Sequence, residues 1–185
     1  EQSTTEGAIK VTYGNGQVKD GIPSDSTITV TGSFEKTEGV EKAHGIEVST
    51  SANIKVRDLT IDNSAFAPAA LDREGVMDVT GEDTDVTLTL EGETVLRAPK
   101  QYFGIQVCDG AMLTVRGSGT LTVQGGEEFG ASGIAANHGD IIFSGGTINA
   151  IGGALDVEGA ISRGIYIIYG NLTISGGTVN AIGGA

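Results

Sequence analysis

From Gly45 onward, aliphatic and polar residues alternate in short runs, and the runs recur in the same order. The last copy carries Ile165 and Ile167, then Leu172 and Ile174, then Val179 and Ala181. The copy before it has Ile134 and Ala136, Ile141 and Phe143, Ile148 and Ala150, and an earlier one has Ile105 and Val107, Leu113 and Val115, Leu121 and Val123. Strict alternation over so few residues predicts strands with one buried face. Two older copies fit the same slots, one with Ile46, Val48, Ile54, Val56, Leu59 and Ile61, the other with Val76, Leu88, Leu90 and Val95. No segment carries an apolar stripe of helical period, so very little helix is expected.

The copies are long enough to see directly. Gly164 to Ala185, GIYIIYGNLTISGGTVNAIGGA, restates Gly133 to Ala154, GIAANHGDIIFSGGTINAIGGA. A glycine, an aliphatic residue and a short variable stretch recur at Gly45, Gly75, Gly104, Gly133 and Gly164, at intervals of 30, 29, 29 and 31 residues. Self-similarity at this period marks a solenoid in which each repeat is one layer that cannot stand without its neighbours. The expected fold is therefore all-β, a parallel β-helix of about five to six coils with three short strands per coil. Thirty glycines against three prolines suit tight corners. One domain is expected, with residues 1–44 as a cap and irregular first coil and residues 45–185 as the repeats. Within the cap, Ile28 and Val30 alternate, and Ile9, Val11 and Tyr13 could add a strand. No cap follows the last copy, so the expectation is that the polypeptide continues or that the exposed edge associates end to end.

One slot conflicts with the pattern. Asp78 falls where Val107 and Ile167 point inward. Either a carboxylate is buried with a partner or the strand bulges and turns Met77 and Val79 inward; the cost of burying a charge favours the bulge.

Charge narrows the partners. The formal net charge is −13, which opposes approach to nucleic acid and to anionic membranes, and no apolar run is long enough for membrane insertion. Twenty-one of the 24 acidic residues precede Phe129, so the first two thirds of the solenoid is its acidic part. The lone Cys108 excludes an internal disulfide and reads as a small filler. The opening tract EQSTTEG reads as a trimmed N-terminus, consistent with export.

Stacking the copies puts distant residues on one flank. Outward positions of the first strand give a column of Glu47, Met77, Gln106, Ala135 and Tyr166 and a second of Ser49, Val79, Cys108, Asn137 and Ile168, followed at the turn by Thr50, Thr80, Asp109, His138 and Tyr169. Tyr166, Tyr169, His138, Asn137, Asp109 and Gln106 would then form one polar and aromatic patch of the kind a glycan lies across. Glu82, Asp83 and Asp85 could share a calcium ion with backbone carbonyls, although their spacing is neither that of an RTX nonapeptide nor that of an EF-hand loop. His44 and His138 are far apart and give no zinc pattern. Asn149 and Asn180 occupy matching slots and should stack as an amide ladder. A lyase would need a calcium-holding carboxylate cluster and a nearby basic residue, and a hydrolase would need paired carboxylates. Arg97, Lys100, Arg116 and Arg163 are scattered, as are Asp109 and Asp140, and none of these sets matches such a signature.

The segments GTLTVQGG, HGDIIFSGGTINAIGG, YGNLTISGGTVNAIGG and HGIEVSTSANIKVRDLTID resemble glycine-rich right-handed parallel β-helix surface proteins of gut bacteria. The architecture is more distantly similar to pectate lyases and related pectin-binding modules. The resemblance implies a right-handed helix and a secreted or cell-surface bacterial origin. It departs from that group in the first strand, where a GAGIGG-like sequence is replaced by GIYIIYG and GIAANHG. The combined expectation is a non-catalytic domain for adhesion or polysaccharide binding, with a polysaccharide lyase or hydrolase and a passive structural stalk as alternatives.

Overall fold

Each alternating run forms a strand, and equivalent strands of successive repeats lie side by side in a computed structural model describing residues 9–12, 18–22, 27–36, 38, 42–67, 74–128, 130–154 and 161–184. Tyr13, the EQSTTEG tract and residues 155–160 lie outside the described residues. In chain order the strands are β1 (Ile9–Thr12), β2 (Val18–Ile22), β3 (Thr27–Glu35), β4 (Gly45–Val48), β5 (Ala52–Asp62), β6 (Gly75–Val79) and β7 (Asp85–Arg97). They continue with β8 (Phe103–Cys108), β9 (Met112–Gly117), β10 (Thr120–Gln124), β11 (Ile134–Asn137), β12 (Asp140–Ile151), β13 (Ile165–Ile168) and β14 (Leu172–Ile182). No helix occurs among the described residues.

Two seven-stranded sheets result, one ordered β13-β11-β8-β6-β4-β1-β2, the other built from β3, β5, β7, β9, β10, β12 and β14. Among themselves the strands from β3 onward pair in parallel, and the whole is a β-solenoid of about five turns. The second and third predicted runs of each repeat join through a bend into one long strand, except where Ser118 and Gly119 separate β9 from β10. The bend repeats from coil to coil with left-handed backbone at Asp58 (φ 47°), Gly92 (φ 69°), Gly146 (φ 79°) and Gly177 (φ 83°). Such a φ costs an L-residue about 1 to 2 kcal/mol and glycine nothing, which is why glycine dominates this corner.

Register converts the repeat into continuous inner ladders. Ile46, Met77, Ile105, Ile134 and Ile165 are successive partners in the first sheet. Ile28, Ile54, Leu88, Val115, Phe143 and Ile174 do the same in the second. Apart from the end residues Ile28, Ile165 and Ile174, these side chains are essentially inaccessible, and Phe143 is the largest of them. At the far end Ile174 and Ile182 are more than half exposed on β14, which has β12 on one side and no strand on the other among the described residues.

The second repeat departs from expectation in two places. No bulge interrupts β6; its register runs one residue on from the glycine frame, so Met77 faces Ile46 and Ile105, and Val79 faces Val48 and Val107. Met77 and Val79 are thus interior, as a bulge would have made them, and do not belong to the outward columns. Asp78 stands on the outer face of the sheet between Glu47 and Gln106, with its side chain nonetheless largely buried at 8% exposure. In β7 the bend at Gly92 turns Thr94 and Leu96 inward, so Val95 lies outward in register with Thr60 and Thr122. The alternation there is read correctly only from the corner, because a residue added at a bend reverses every side chain beyond it.

The antiparallel β1–β2 hairpin lies on the edge of β4, and β3 covers β5. Strands β1, β2 and β3 thus lie at one end of the two sheets. At this end His44 is buried, its ring stacked on Phe34 at 5.0 Å and edge-on to Phe66 at 6.2 Å. Neither ring nitrogen has a hydrogen-bond partner among the described residues. Burial holds the His44 pKa below its ordinary 6.5. The folded state keeps the ring neutral while the unfolded chain takes up a proton near 6.5, so this stability is complete above that pH and is lost as the pH falls below it. The urea midpoint should drop between about pH 7.5 and pH 5.5, and His44→Phe should remove the drop. A midpoint in the variant that falls as steeply as in the parent would assign the dependence elsewhere.

Candidate carbohydrate-binding face

The first sheet presents its outer surface as a short ladder of residues from every coil. Glu47, Asp78, Gln106, Ala135 and Tyr166 are register partners along one column. Asn137 pairs with Cys108 on one side and Ile168 on the other. Next comes a turn whose first residue is left-handed in three successive coils: Asp109 (φ 56°), His138 (φ 57°) and Tyr169 (φ 54°). Non-glycine residues rarely hold this conformation, and it persists where the surroundings over-determine it. Here Gly110, Gly139 and Gly170 follow directly, and a β-carbon on Gly139 would come within 2.8 Å of the Val107 carbonyl oxygen, so the turns stack closely.

That stacking brings His138 and Tyr169 together. Their rings lie 4.8 Å apart at 26°, and Tyr169 is 78% exposed. An aromatic pair of this geometry contributes about 0.5 to 1.5 kcal/mol beyond its area, which fixes the platform while leaving the outer face of Tyr169 to solvent. Asn137 Oδ1 and His138 Nδ1 are 3.0 Å apart.

Beside the platform lies a groove of about 380 Å³, lined by Glu47, Glu74, Asp78, Thr80, Gln106, Cys108, Asp109 and Asn137. Its donors are turned onto its own carboxylates. Gln106 donates to Glu74 at 2.7 Å, Thr80 donates to Asp109 at 2.7 Å, and the Cys108 thiol reaches the same Asp109 oxygen at 3.5 Å. Desolvation, with Asp109 and Asp78 close by, pushes the Cys108 thiol up to about 11, so it stays protonated and unreactive at neutral pH.

No family model, curated protein or solved structure matches this chain. The site rests on its own geometry.

The six residues of the anticipated patch divide into three groups. Gln106, Asp109 and Asn137 line the groove, and His138 and Tyr169 form the adjoining platform. Tyr166 shares the column, but the Arg163 guanidinium lies 4.3 Å from its ring centre and covers that face. Glu74, Asp78 and Thr80 were not anticipated as part of the site. The one-residue offset in the second repeat hid Asp78, and Glu74 precedes the strand where no column counting reaches it. Glu47 stood in the outward column and carried no further signal.

The other candidates fall elsewhere. Glu82 and Asp83 are exposed on the turn after β6, and Asp85 opens β7 with its N–H donating to Ser51. Among the described residues no group of three or more His, Cys, Asp or Glu is arranged to hold a metal ion. The basic residues are engaged along the outer walls. Arg97 pairs with Asp62 at 2.8 Å, Lys100 with Glu128 at 2.7 Å, and Arg116 donates to Thr89 at 3.2 Å. Asp140 accepts from the main-chain and side-chain nitrogens of Asn171. Asn180 donates to Asn149 at 2.8 Å, and Asn149 reaches Thr122 at 3.4 Å, so the amide ladder forms.

Proposed function

We propose that this solenoid is an exported bacterial cell-surface domain that binds a polysaccharide along the outer face of its first sheet without altering it. The observation that supports this most is the stacked His138–Tyr169 platform adjoining a polar groove on neighbouring coils. A sugar ring has an apolar face of C–H bonds and an edge of hydroxyls. Tyr169 offers the flat surface for the first, and the acceptors of Asp109, Asn137 and Glu47 suit the second. The strands hold these groups on a rigid scaffold, so little ordering cost is incurred on binding.

Affinity electrophoresis against a panel of soluble polysaccharides, with calcium and with chelator, tests the reading. At least one should retard the protein, and Tyr169→Ala should weaken that interaction by about tenfold or more, equivalent to about 1.4 kcal/mol. Retardation unchanged in Tyr169→Ala would remove the platform from the site. Absence of any interaction across the panel would leave the passive stalk.

A second reading, polysaccharide hydrolysis, is favoured by the carboxylates of the groove. Glu47 and Asp78 are register partners on adjacent strands, whose backbones lie about 4.8 Å apart, and hydrolysis needs two carboxyls across one bond. Release of reducing ends from the retained polysaccharide, abolished in Glu47→Gln, would establish it.

A further inference from the structure

The large apolar side chains exposed among the described residues all belong to the last coil: Ile161, Tyr169, Leu172, Ile174 and Ile182. Leu172 and Ile174 lie in register with Ile141 and Phe143 of the coil beneath, and Val179 and Ala181 with Ile148 and Ala150, all four of which are fully buried. They continue the inner rows of the stack, and among the described residues nothing lies over them. β14 is also an edge strand of 11 residues whose one described partner is β12. Such an edge offers a row of N–H and C=O groups to another strand. Charge narrows what can cover it. β14 carries no charged residue, and Arg163 is the only one in the described part of this coil, residues 161–184. Twenty-one of the 24 acidic residues precede Phe129, so two copies that meet at this end keep their negative halves apart.

The strand also complements itself. Reversed about the bond between Gly176 and Gly177, LTISG runs against GTVNA. Leu172 then falls opposite Ala181 of the other copy, Ile174 opposite Val179 and Ser175 opposite Thr178, so apolar meets apolar and hydroxyl meets hydroxyl. The left-handed bend at Gly177 sits on this axis, so the two arms of the strand exchange places and the corners coincide. We infer that two copies of this chain join by their last coils about a two-fold axis through Gly176 and Gly177, with β14 antiparallel to β14 of the other copy. The opposite end of the solenoid is a poorer partner. There the first sheet runs two strands beyond β4 and the second only one beyond β5, a step that the last coil, with one strand ending each sheet, does not match. Closed two-fold dimers are the commonest symmetric assemblies, whereas head-to-tail stacking would leave edges free to grow into a filament. The contact is independent of what the first sheet binds.

Sedimentation equilibrium of the chain from about 1 to 200 µM, a range that spans micromolar dissociation constants, tests the inference. The mass should rise from that of one 18.8 kDa chain to twice that value and no further. Ser175 and Thr178 are exposed, so both can be replaced with little effect on the core. Combining Ser175→Glu with Thr178→Glu sets two pairs of like charges across the axis, and combining Ser175→Lys with Thr178→Lys does the same with the other sign. Like charges directly opposite on paired strands are destabilising, so each double variant should stay monomeric at about 200 µM while keeping the circular dichroism of the parent. An equimolar mixture of the two should recover the dimer, because every facing pair is then of opposite sign. A parent that is monomeric throughout overturns the inference and leaves the edge to a further coil of the same repeat. Growth past two chains overturns it in favour of head-to-tail stacking. A dimer that survives in both double variants places the interface on another surface, and a mixture that stays monomeric refutes the two-fold register.

Discussion

Gly153→Ala should destabilise the fold by about 3 kcal/mol or more, enough to shift the urea midpoint markedly or leave the chain unfolded. Gly153 belongs to the IGG sequence that ends the second long strand of each late repeat. Its N–H donates to the Ala131 carbonyl at 3.0 Å, and Gly152 next to it donates to Ile182 at 2.8 Å, so the backbone here is stitched to its surroundings. A β-carbon on Gly153 would overlap the carbonyl of Gly126 one coil below. Gly126 stands in the same relation to Pro99, and Gly184 to Gly153. The corner is a stack of peptide planes in which each residue occupies the space where the next one's side chain would be.

The methyl group could be admitted only by separating the coils, and separation there would lengthen the ladder hydrogen bonds between β10 and β12. Gly184→Ala makes the same overlap with Gly153 in the last coil, where nothing lies beyond it among the described residues and the strand can tilt away. Its cost should be clearly smaller, about 1 kcal/mol. Equilibrium unfolding of the two variants side by side, followed by circular dichroism, checks the argument. Equal losses, or no loss from Gly153→Ala, would show that the corner is not the rigid element proposed.

Asn63→Ala should cost about 2 to 4 kcal/mol, because it leaves two buried main-chain groups without partners at about 1 to 3 kcal/mol each. Asn63 has no accessible surface. Its Oδ1 accepts the His44 N–H at 3.1 Å, and its Nδ2 donates to the His44 carbonyl at 2.6 Å. Its own N–H donates to Arg97 and its carbonyl accepts from Phe66, both at 2.9 Å. The Asn63 side chain thus ties the end of β5 to the residue that enters β4, while its main chain holds the end of β7. Loss of amide hydrogen-exchange protection at His44, together with the lowered midpoint, should mark the variant. Retained protection at His44 would mean that water or a neighbour satisfies the freed groups and that the penalty is small.

The fold was legible because a solenoid writes its contacts into its period. Ile105, Ile134 and Ile165 are register partners at steps of 29 and 31 residues, and the glycine frame gives the same two steps. Local alternation then assigns each face. The reading failed where the period and the register part company. From Ile46 to Met77 and on to Ile105 the steps are 31 and 28, although the glycines at 45, 75 and 104 give 30 and 29. A slip of one residue exchanges the two faces of a strand, so Met77 and Val79 left the outer columns and Asp78 entered them. Val95 was misplaced for a related reason: the side of the bend on which a residue lies depends on which glycine makes the corner, and the second repeat offers Gly92 alone.

The site was legible in part for the same reason. His138 and Tyr169 could be paired from sequence because each directly precedes the glycine of its turn, Gly139 and Gly170. The groove could not, because it depends on side-chain direction. Thr80 and Gln106 turn onto Asp109 and Glu74, and Arg163 lies over Tyr166, choices made among rotamers after the coils have stacked.

What the amino-acid order determined alone was the layer: three alternating runs and their glycine corners, repeated often enough that only stacking can bury the aliphatic faces. Which layer slides by one residue against the next was decided by the packed interior, since Met77 fills the place between Ile46 and Ile105 and so sets the partners of its whole strand. The outer face follows from that choice. A carboxylate reaches the groove at position 78 because the thioether beside it belongs inside.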